Sequence, residues 1–191
     1  VRKSYTNLYQ LDDVSYYWLM FTILTGIWEA TFVANRLEIK GITRKLLNRK
    51  DHVWTSMYDI SYVLPWKLSK IFYAEYGAYA DREYYSTQDY WASLIESSHA
   101  LLCGAFSLFA IIAQILDNKQ LFLINGTISM SAQLMNSILY IGQYLIQIKD
   151  CHSVNHISKE FPAGILLSSR PFMYINIFWT VMPIIVLGSI I

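Results

Sequence analysis

The sequence predicts an all-α integral membrane protein, and three observations support this prediction. The chain has 191 residues, of which 54% are apolar and only 15% are charged, whereas about 25% of the residues of a soluble domain are charged. Four stretches of about 20 residues or more, the length that crosses the hydrocarbon core, contain one charge or none. Tryptophan and tyrosine, which prefer the headgroup level, are concentrated between the first and second stretches. We therefore expect one membrane domain over residues 1–191, with four transmembrane helices in a bundle and an aromatic-rich interfacial segment between the first and second.

The four predicted transmembrane helices follow from the gaps between charged residues. Glu29 is the only charge in the first and Glu96 the only charge in the second, while the third and fourth contain none. Residues 117–119 leave room only for a tight hairpin, and residues 149–170 form a longer loop. The predicted spans are A (residues 14–35), B (90–116), C (120–148) and D (171–191).

The segment between spans A and B, residues 36–89, is polar but rich in aromatic side chains. Trp54, Tyr58 and Tyr62 recur at a spacing of four, which is typical of one face of a helix. Because tryptophan and tyrosine favour the membrane–water interface, we expect a short amphipathic helix there that ends near Pro65.

The charge balance and the cysteines exclude several classes of function. The 15 lysines and arginines nearly balance the 14 acidic residues, for a formal net charge of +1, so no global field attracts nucleic acid. Cys103 and Cys151 supply neither a disulfide framework nor the paired spacing of a zinc site. The single Glu96-x-x-His99 pair falls short of a carboxylate di-iron centre, which needs two such pairs and two further glutamates. We expect no metal, no cofactor and no nucleic-acid partner.

Two acidic residues lie well inside the predicted spans, and an intramembrane carboxyl is costly enough to indicate a functional site. Glu96 is followed at i+3 by His99, so both project from one face of span B, and Thr25 and Glu29 share a face of span A. Two interpretations remain open. The polar groups hydrogen-bond one another and fix helix packing, or they form a buried acid–base pair in which one carboxyl gives a proton and a neutral histidine or second carboxylate receives one.

Uncharged polar side chains on spans C and D extend this polar face. Taken singly, each is more often an ordinary packing residue. Together with two acids and an imidazole in apolar surroundings, they predict a pocket for a large hydrophobic small molecule with few polar groups. They are Gln133, Asn136, Ser137 and Tyr140 on span C, and Asn176 and Trp179 on span D.

Four segments contain residue types at spacings that are typical of one protein family, and the segments occur in the same order along the chain. They are Gly26 to Phe32, with Glu29 at the family's glutamate; Glu75, Tyr76, Ala80, Asp81, Tyr84, Glu96, Ala100, Leu102 and Gly104; Gln133, Leu134 and Tyr140; and Asn176, Trp179 and Pro183. This pattern resembles the emopamil-binding protein family, the sterol delta-8 to delta-7 isomerases, and the resemblance spans nearly the whole chain.

The resemblance implies the four-helix EXPERA domain, which that family shares with the sigma-2 receptor group, and a location in the endoplasmic reticulum membrane. It also implies a reaction in which an acid protonates a sterol alkene, a carbocation forms and a base removes a neighbouring proton. By the resemblance, Glu29 and Glu96 are the acid and base carboxyls, Trp179 faces the cation, Asn176 is a polar group of the pocket, and Asp81 is a supporting residue just outside the membrane.

Two positions depart from the family pattern. Thr25 stands where the family has a histidine one turn before the glutamate of span A, and His99 stands where the family has a threonine one turn after the glutamate of span B. The imidazole has therefore changed helices, which leaves three functions open: a sterol isomerase, an isomerase or cyclase of a terpenoid or other specialised metabolite, and a non-catalytic sterol- or amine-binding protein of the sigma-2 type.

We therefore predict a multi-pass isomerase that shifts a double bond in a sterol or sterol-like lipid. Its expected partners are the lipid bilayer and a hydrophobic small-molecule substrate, with a homodimer left open. The predicted catalytic residues are Glu29, Glu96 and His99; the predicted substrate-binding residues are Thr25, Trp28, Gln133, Asn136, Tyr140, Asn176 and Trp179; and Asp81 is a supporting residue.

Overall fold

The computed structural model describes residues 11–80, 90–153, 156 and 172–190, and in these ranges the chain is helical with no β-strand. The all-α part of the prediction is thus confirmed for the described residues. The helices are α1 (Asp13–Arg49), α2 (Pro65–Glu75), α3 (Tyr90–Ile115), α4 (Lys119–Gln147) and α5 (Phe172–Ile190), with a π-helical turn at Tyr76–Ala80.

Two helical segments are long and apolar enough to cross a membrane by length and composition. These are Asp13–Arg49 and Leu94–Ile115, in which an 18-residue window has a mean hydropathy of 1.3 and 1.8, respectively. The described part of the last helix also contains a shorter apolar stretch, Tyr174–Ile190. The chain therefore carries two candidate membrane-spanning helices among its described residues.

Helix α1 continues well past the predicted end of span A. It begins at the N-cap Asp12, whose carboxylate accepts the Ser15 N–H at 2.9 Å, and ends at Lys50 in the left-handed conformation, with φ 53°. The helix is kinked at Asn35 (φ −117°, ψ 16°), where the side-chain amide donates to the Thr31 carbonyl at 2.9 Å. A side chain that competes for a backbone carbonyl is a usual cause of a kink. The kink divides α1 into two parts: an inner half before Asn35 and an outer half after it, which contains most of the charged residues.

Helix α2 runs parallel to the outer half of α1. Lys70 pairs with Glu38 at 2.9 Å, and one turn further on Thr43 donates to the Ala74 carbonyl at 3.2 Å. At the end of this region Tyr79 donates to the Asp51 carbonyl at 2.6 Å. Because the partners advance together along both helices, the connector 50–64 must run back along α1 before α2 begins.

The prediction of an amphipathic helix around Trp54, Tyr58 and Tyr62 is wrong. This stretch forms two short 3₁₀ turns, Val53–Thr55 and Ile60–Val63, and the α-helix starts rather than ends at Pro65. Proline lacks an N–H and has a fixed φ, so it suits the first turn of a helix and not its interior. The spacing of the aromatic residues therefore did not reflect a helix.

Helices α1 and α3 approach each other through glycines. A Cβ atom on Gly26 would lie 3.1 Å from the Ala100 carbonyl oxygen and 3.4 Å from Gly104 Cα. Such close backbone contact is typical of small residues between membrane helices. The same helix pair goes on to line the site described below, so this contact sets the distance between two of its walls.

Two buried apolar clusters lie on either side of the site. One joins the inner half of α1 to α3, α4 and α5, around Leu19, Met130 and Val186. The other joins the outer half of α1 to α2, around Ile39 and Ala74. Residues packed against the first cluster, such as Trp179, and residues of the second, such as Tyr73, both border the cavity described below.

Candidate functional site

A cavity of about 460 Å³ lies between the helices, and its volume falls within the usual range for small-molecule sites. Side chains from all five helices and from the turn after α2 line it. Asp81, the remaining predicted site residue, lies outside the described residues. The predicted residues that line the cavity are Thr25, Trp28, Glu29, Glu96, His99, Gln133, Asn136, Tyr140, Asn176 and Trp179.

Glu29 is the most deeply buried acid of this cavity, with 9% of its surface exposed. The hydroxyl of Tyr73 on α2 donates a hydrogen bond to Glu29 Oε1. Tyr73 is itself buried and its ring packs on Phe32 at 4.9 Å. Among the described residues Glu29 Oε2 has no hydrogen-bond partner. One oxygen of the carboxyl is therefore held by Tyr73, and the other is buried without a hydrogen-bond partner among the described residues.

Glu96 approaches the same space from α3. Its Oε2 accepts a hydrogen bond from the Asn136 amide on α4 at 3.4 Å. The carboxyls of Glu29 and Glu96 are near enough to interact electrostatically. Two carboxyls that face one cavity could serve as a proton donor and a proton acceptor to the same ligand.

His99 lies one turn beyond Glu96 on α3 and is partly buried. Its Nε2 is 3.3 Å from Cys103 Sγ, one turn further along α3. An imidazole that uses one nitrogen as a donor has the other as an acceptor when the ring is neutral. A neutral His99 ring can therefore act as a proton acceptor.

Aromatic rings form the inner wall of the cavity. Trp179 stacks on Phe21 at 5.4 Å and lies 5.0 Å from Trp18 between ring centroids. Nearer to Glu29, Trp28 packs on Phe72 at 5.7 Å. Indole and phenyl faces attract cations in apolar surroundings, so this wall suits a ligand that becomes positively charged.

Some of the predicted binding residues use their polar atoms within the protein. The Trp18 indole donates to Gln133 Oε1 at 2.7 Å, which joins α1 to α4. Thr25 donates to the Thr22 carbonyl at 3.0 Å within its own helix. These contacts match the packing interpretation of Gln133 and Thr25, although both residues contribute surface to the cavity.

Helix α2, whose residues the sequence prediction placed in the interfacial segment, closes one side of the cavity. Phe72, Tyr73 and Tyr76 all line the cavity. The hydroxyl of Tyr76 is 2.9 Å from that of Tyr140 on α4. A helix predicted to begin at Pro65 would have placed Phe72 and Tyr76 one turn apart on one face, with Tyr73 beside Phe72, and this was the available signal.

Within the described ranges, no three histidine, cysteine, aspartate or glutamate side chains are grouped as metal ligands. The arrangement combines two carboxyls, an imidazole and aromatic faces around an apolar space. Comparison of the chain with protein-family models, with curated proteins and with solved structures finds no match.

Proposed function

We propose that this protein is a membrane isomerase that shifts a double bond in a sterol or sterol-like lipid by protonation and deprotonation. The observation that carries the proposal is the convergence of Glu29, Glu96 and His99 on one cavity with an aromatic wall. The family resemblance of the sequence supports the same reaction type.

The proposed setting is a bilayer crossed by α1, α3, α4 and α5, and the distribution of side chains supports it. On α4 the polar residues Gln133 and Ser137 are buried, whereas Met135, Ile138 and Leu139 are exposed. This pattern is the reverse of a soluble helix and suits a helix surrounded by lipid. We place the protein in the endoplasmic reticulum membrane on the strength of the resemblance.

The connector before α2 and the first turn of α2 are the proposed interfacial segment. Met57, Ile60, Val63 and Trp66 are at least half exposed, and Lys67 lies over the Tyr62 ring at 5.6 Å. Aromatic, apolar and lysine side chains together favour the headgroup level. The direction of α2 supports this placement, because Trp66 and Ala34 line a common groove near the end of the predicted span A on α1.

The proposed mechanism has two proton transfers. One carboxyl of the Glu29 and Glu96 pair gives its proton to a carbon of the alkene, and the π electrons form the new C–H bond and leave a carbocation on the other carbon. The face of Trp179 stabilises that cation by about 2 kcal/mol or more in desolvated surroundings. The other carboxylate or neutral His99 then removes a proton from the adjacent carbon, and the C–H electrons form the shifted double bond. The net reaction moves a double bond and needs no other reactant.

The experiment that tests this function is turnover in deuterated water. Membranes containing the protein are incubated with a delta-8 sterol, and the product is analysed by mass spectrometry and NMR. The proposed reaction places one deuterium on the sterol ring and shifts the alkene. Recovery of unlabelled, unshifted sterol would contradict the sterol isomerase proposal.

The second candidate is an isomerase or cyclase of a terpenoid or other specialised metabolite. The observation that favours it is the imidazole on α3: His99 lines the cavity, whereas Thr25 on α1 bonds its own backbone. Compared with the family that the sequence resembles, the histidine lies on α3 instead of α1. This position suits a substrate whose alkene lies elsewhere in the cavity than that of a sterol. Deuterium incorporation into a terpenoid alkene or epoxide, and not into a sterol, would select this candidate.

Replacing Tyr73 by phenylalanine should lower kcat about tenfold, a loss of about 1.4 kcal/mol of transition-state stabilisation, and leave KM within about twofold. The ring still packs on Phe32, but the hydrogen bond that orients Glu29 Oε1 is lost. Initial rates at several substrate concentrations measure both constants.

The matched control for this variant is Tyr79→Phe. Tyr79 donates to the Asp51 carbonyl and does not line the cavity, so its loss should affect thermal stability and leave kcat unchanged. Equal kcat values for the Tyr73→Phe and Tyr79→Phe proteins would show that Tyr73 does not position the catalytic carboxyl.

A further inference from the structure

A second groove, the α1–α3 groove, lies on the side of helices α1 and α3 that faces away from the cavity. Its volume is about 690 Å³, and it shares no lining residue with the cavity. The two helices touch beneath it, where a Cβ atom on Gly26 would lie 3.4 Å from Gly104 Cα. Its walls carry the exposed side chains of Ile27, Leu101 and Leu108. The groove is therefore open to the surroundings of the helix bundle.

The walls of the α1–α3 groove on these two helices are apolar. Two polar side chains of α1 line it, and both donate hydrogen bonds within their own helix. Thr31 donates to the Ile27 carbonyl at 3.0 Å, and Asn35 donates to the Thr31 carbonyl at 2.9 Å. The other lining residues of α1 and α3 are aliphatic residues and glycines. A hydrocarbon chain in the groove gains van der Waals contact along its whole length.

The length of the groove matches the depth of one membrane leaflet. Its lining extends along α1 from Ile23 to Asn35, which corresponds to about 18 Å at the rise per residue of an α-helix. One leaflet contributes about 15 Å, which is half of the hydrocarbon core. A transmembrane helix of a second copy would instead need about 30 Å. The groove therefore suits an acyl chain better than a partner helix.

One end of the α1–α3 groove is polar. Trp66 and Lys70 of α2 line this end, and Lys70 pairs there with Glu38 on the outer half of α1 at 2.9 Å. Tryptophan and lysine favour the headgroup level of a bilayer. An ammonium group has three donors, so Lys70 can bind a phosphate oxygen while one donor stays with Glu38.

The charges at the two ends of the helix bundle favour a negatively charged headgroup at this end. The segment from Arg36 to Ala80, which starts beside Asn35, has eight lysines and arginines and four acidic residues. At the opposite end, Leu11, Ala113 and Phe122 pack in one cluster. The charged residues near that cluster in the sequence are Asp12, Asp13, Asp117 and Lys119. Because basic side chains near a membrane surface attract anionic lipids, the polar end of the groove is complementary to an anionic phosphodiester.

We propose that the α1–α3 groove binds one acyl chain of an anionic glycerophospholipid of the bilayer, with the phosphate at Lys70 and the headgroup beside Trp66. The apolar walls favour hydrocarbon, the length favours a chain of one leaflet, and the basic end favours a negative headgroup. This proposal rests on the bilayer setting given under the proposed function, but it does not depend on the isomerase reaction.

Retention of lipid by the purified chain in detergent, measured by native mass spectrometry, tests the proposal. The probes are phosphatidylglycerol and phosphatidylcholine with identical acyl chains, each added over a range of concentrations. We expect one retained phosphatidylglycerol per chain, with an affinity about tenfold greater than that of phosphatidylcholine. Equal retention of the two lipids, or retention of neither, would overturn the proposal.

Two charge variants test where the headgroup lies. Lys70→Gln should weaken the binding of phosphatidylglycerol about fivefold, since one basic residue near anionic lipid contributes about 1 kcal/mol. Glu38→Gln should strengthen it about twofold to fivefold, because this change removes the acid that competes for Lys70 and repels the phosphate. Unchanged affinity in both variants would reject Lys70 as the phosphate site.

The matched control for these variants is Lys45→Gln. Lys45 is exposed, does not line the groove and lies about three helical turns beyond Asn35. Removal of this charge should leave the affinity for phosphatidylglycerol within about twofold. An equal loss in Lys45→Gln and Lys70→Gln would indicate a diffuse attraction to anionic lipid and would reject a defined site.

A bulky substitution in the groove tests the acyl chain. Ala105 is exposed and lines the groove, so Ala105→Trp should reduce retention of both lipids by about tenfold or more. Leu102→Trp is the matched control, because Leu102 is exposed and lines neither the groove nor the cavity. If Ala105→Trp instead converts a dimer into a monomer and leaves lipid retention unchanged, the groove is a contact between two copies and the proposal is wrong.

Retention of lipid and turnover separate this proposal from the proposed function. A Lys70-dependent preference for phosphatidylglycerol without any deuterium in the sterol would support the lipid site and remove the isomerase. Deuterium incorporation without such a preference would support the isomerase and reject the lipid site.

Discussion

Replacing Glu29 by glutamine should reduce turnover by about 1,000-fold or more and leave the protein folded. Glutamine has the same shape and keeps an oxygen to accept the Tyr73 hydroxyl, but it can neither give nor take the proton. Loss of a general acid or base typically costs about 10² to 10⁴ in rate. The effect is expected near the upper part of that range because Glu29 is almost fully buried, and water cannot easily replace it. Deuterium incorporation and alkene shift measure turnover, and thermal unfolding measures stability.

The matched control is Glu38→Gln on the same helix. Glu38 is exposed, pairs with Lys70 at 2.9 Å and does not line the cavity. Exposed ion pairs contribute only about 0–1 kcal/mol to stability, so this variant should retain both rate and fold. Glu96→Gln should behave like Glu29→Gln, since its carboxyl is the other member of the pair.

Two outcomes would reject the catalytic role of Glu29. One is normal turnover in Glu29→Gln. The other is a protein that unfolds or cannot be extracted after this isosteric change, because that result would assign the carboxyl to helix packing instead. The glutamine variant is chosen over alanine so that these two outcomes remain distinguishable.

Replacing Gly26 by leucine should lower the free energy of unfolding by about 3 kcal/mol or more, at the upper end of the usual cost of overpacking. The first added carbon already meets the Ala100 carbonyl oxygen at 3.1 Å, and that oxygen belongs to the backbone and cannot rotate away. The helices α1 and α3 must therefore separate. For a chain of this size the melting temperature should fall by about 6–12 °C, as measured by thermal unfolding in detergent.

Gly142→Leu provides the comparison. Gly142 lies on an exposed face of α4 and a Cβ atom there would meet nothing within 4 Å. Leucine is also a better helix former than glycine by nearly 1 kcal/mol, so this variant should be as stable as the unmodified protein or more so. Equal melting temperatures for Gly26→Leu and Gly142→Leu would show that the α1–α3 contact is looser than the structure describes.

The helices themselves were largely predictable from local patterns. The stretches with one charge or none that predicted spans B and C correspond closely to α3 and α4, which end at Ile115 and Gln147. The predicted span A was too short. The distance between charged residues indicates how much of a helix can lie in the hydrocarbon core, but it does not indicate where the backbone hydrogen bonds of the helix end. Helix α1 continues to Arg49 since its outer half finds a second apolar partner in α2.

The residues of the site were also largely predictable, but their arrangement was not. Helical spacing placed Glu96 and His99 on one face of span B and Gln133 and Tyr140 on one face of span C. Spacing along a helix cannot say which faces meet. That depends on the close approach at Gly26 and on contacts between helices such as the Trp18 to Gln133 hydrogen bond.

The contribution of α2 was missed for a physical reason. Tyr73 meets Glu29 across 44 positions of the chain, and this contact exists only because the connector runs back along α1 and starts a new helix at Pro65. Hydropathy and periodicity depend only on residues that are near one another in the sequence. They therefore could not predict this contact.

The sequence by itself therefore determined the all-helical character, the approximate helices and the acids, imidazole and aromatic residues available for chemistry. Only the tertiary structure decided that a second, parallel helix closes the cavity, that one oxygen of Glu29 is held by a tyrosine, and that α1 and α3 touch at Gly26 beneath a second groove. Helix formation depends on local backbone hydrogen bonds and side-chain polarity, whereas these contacts depend on how distant segments share a limited space.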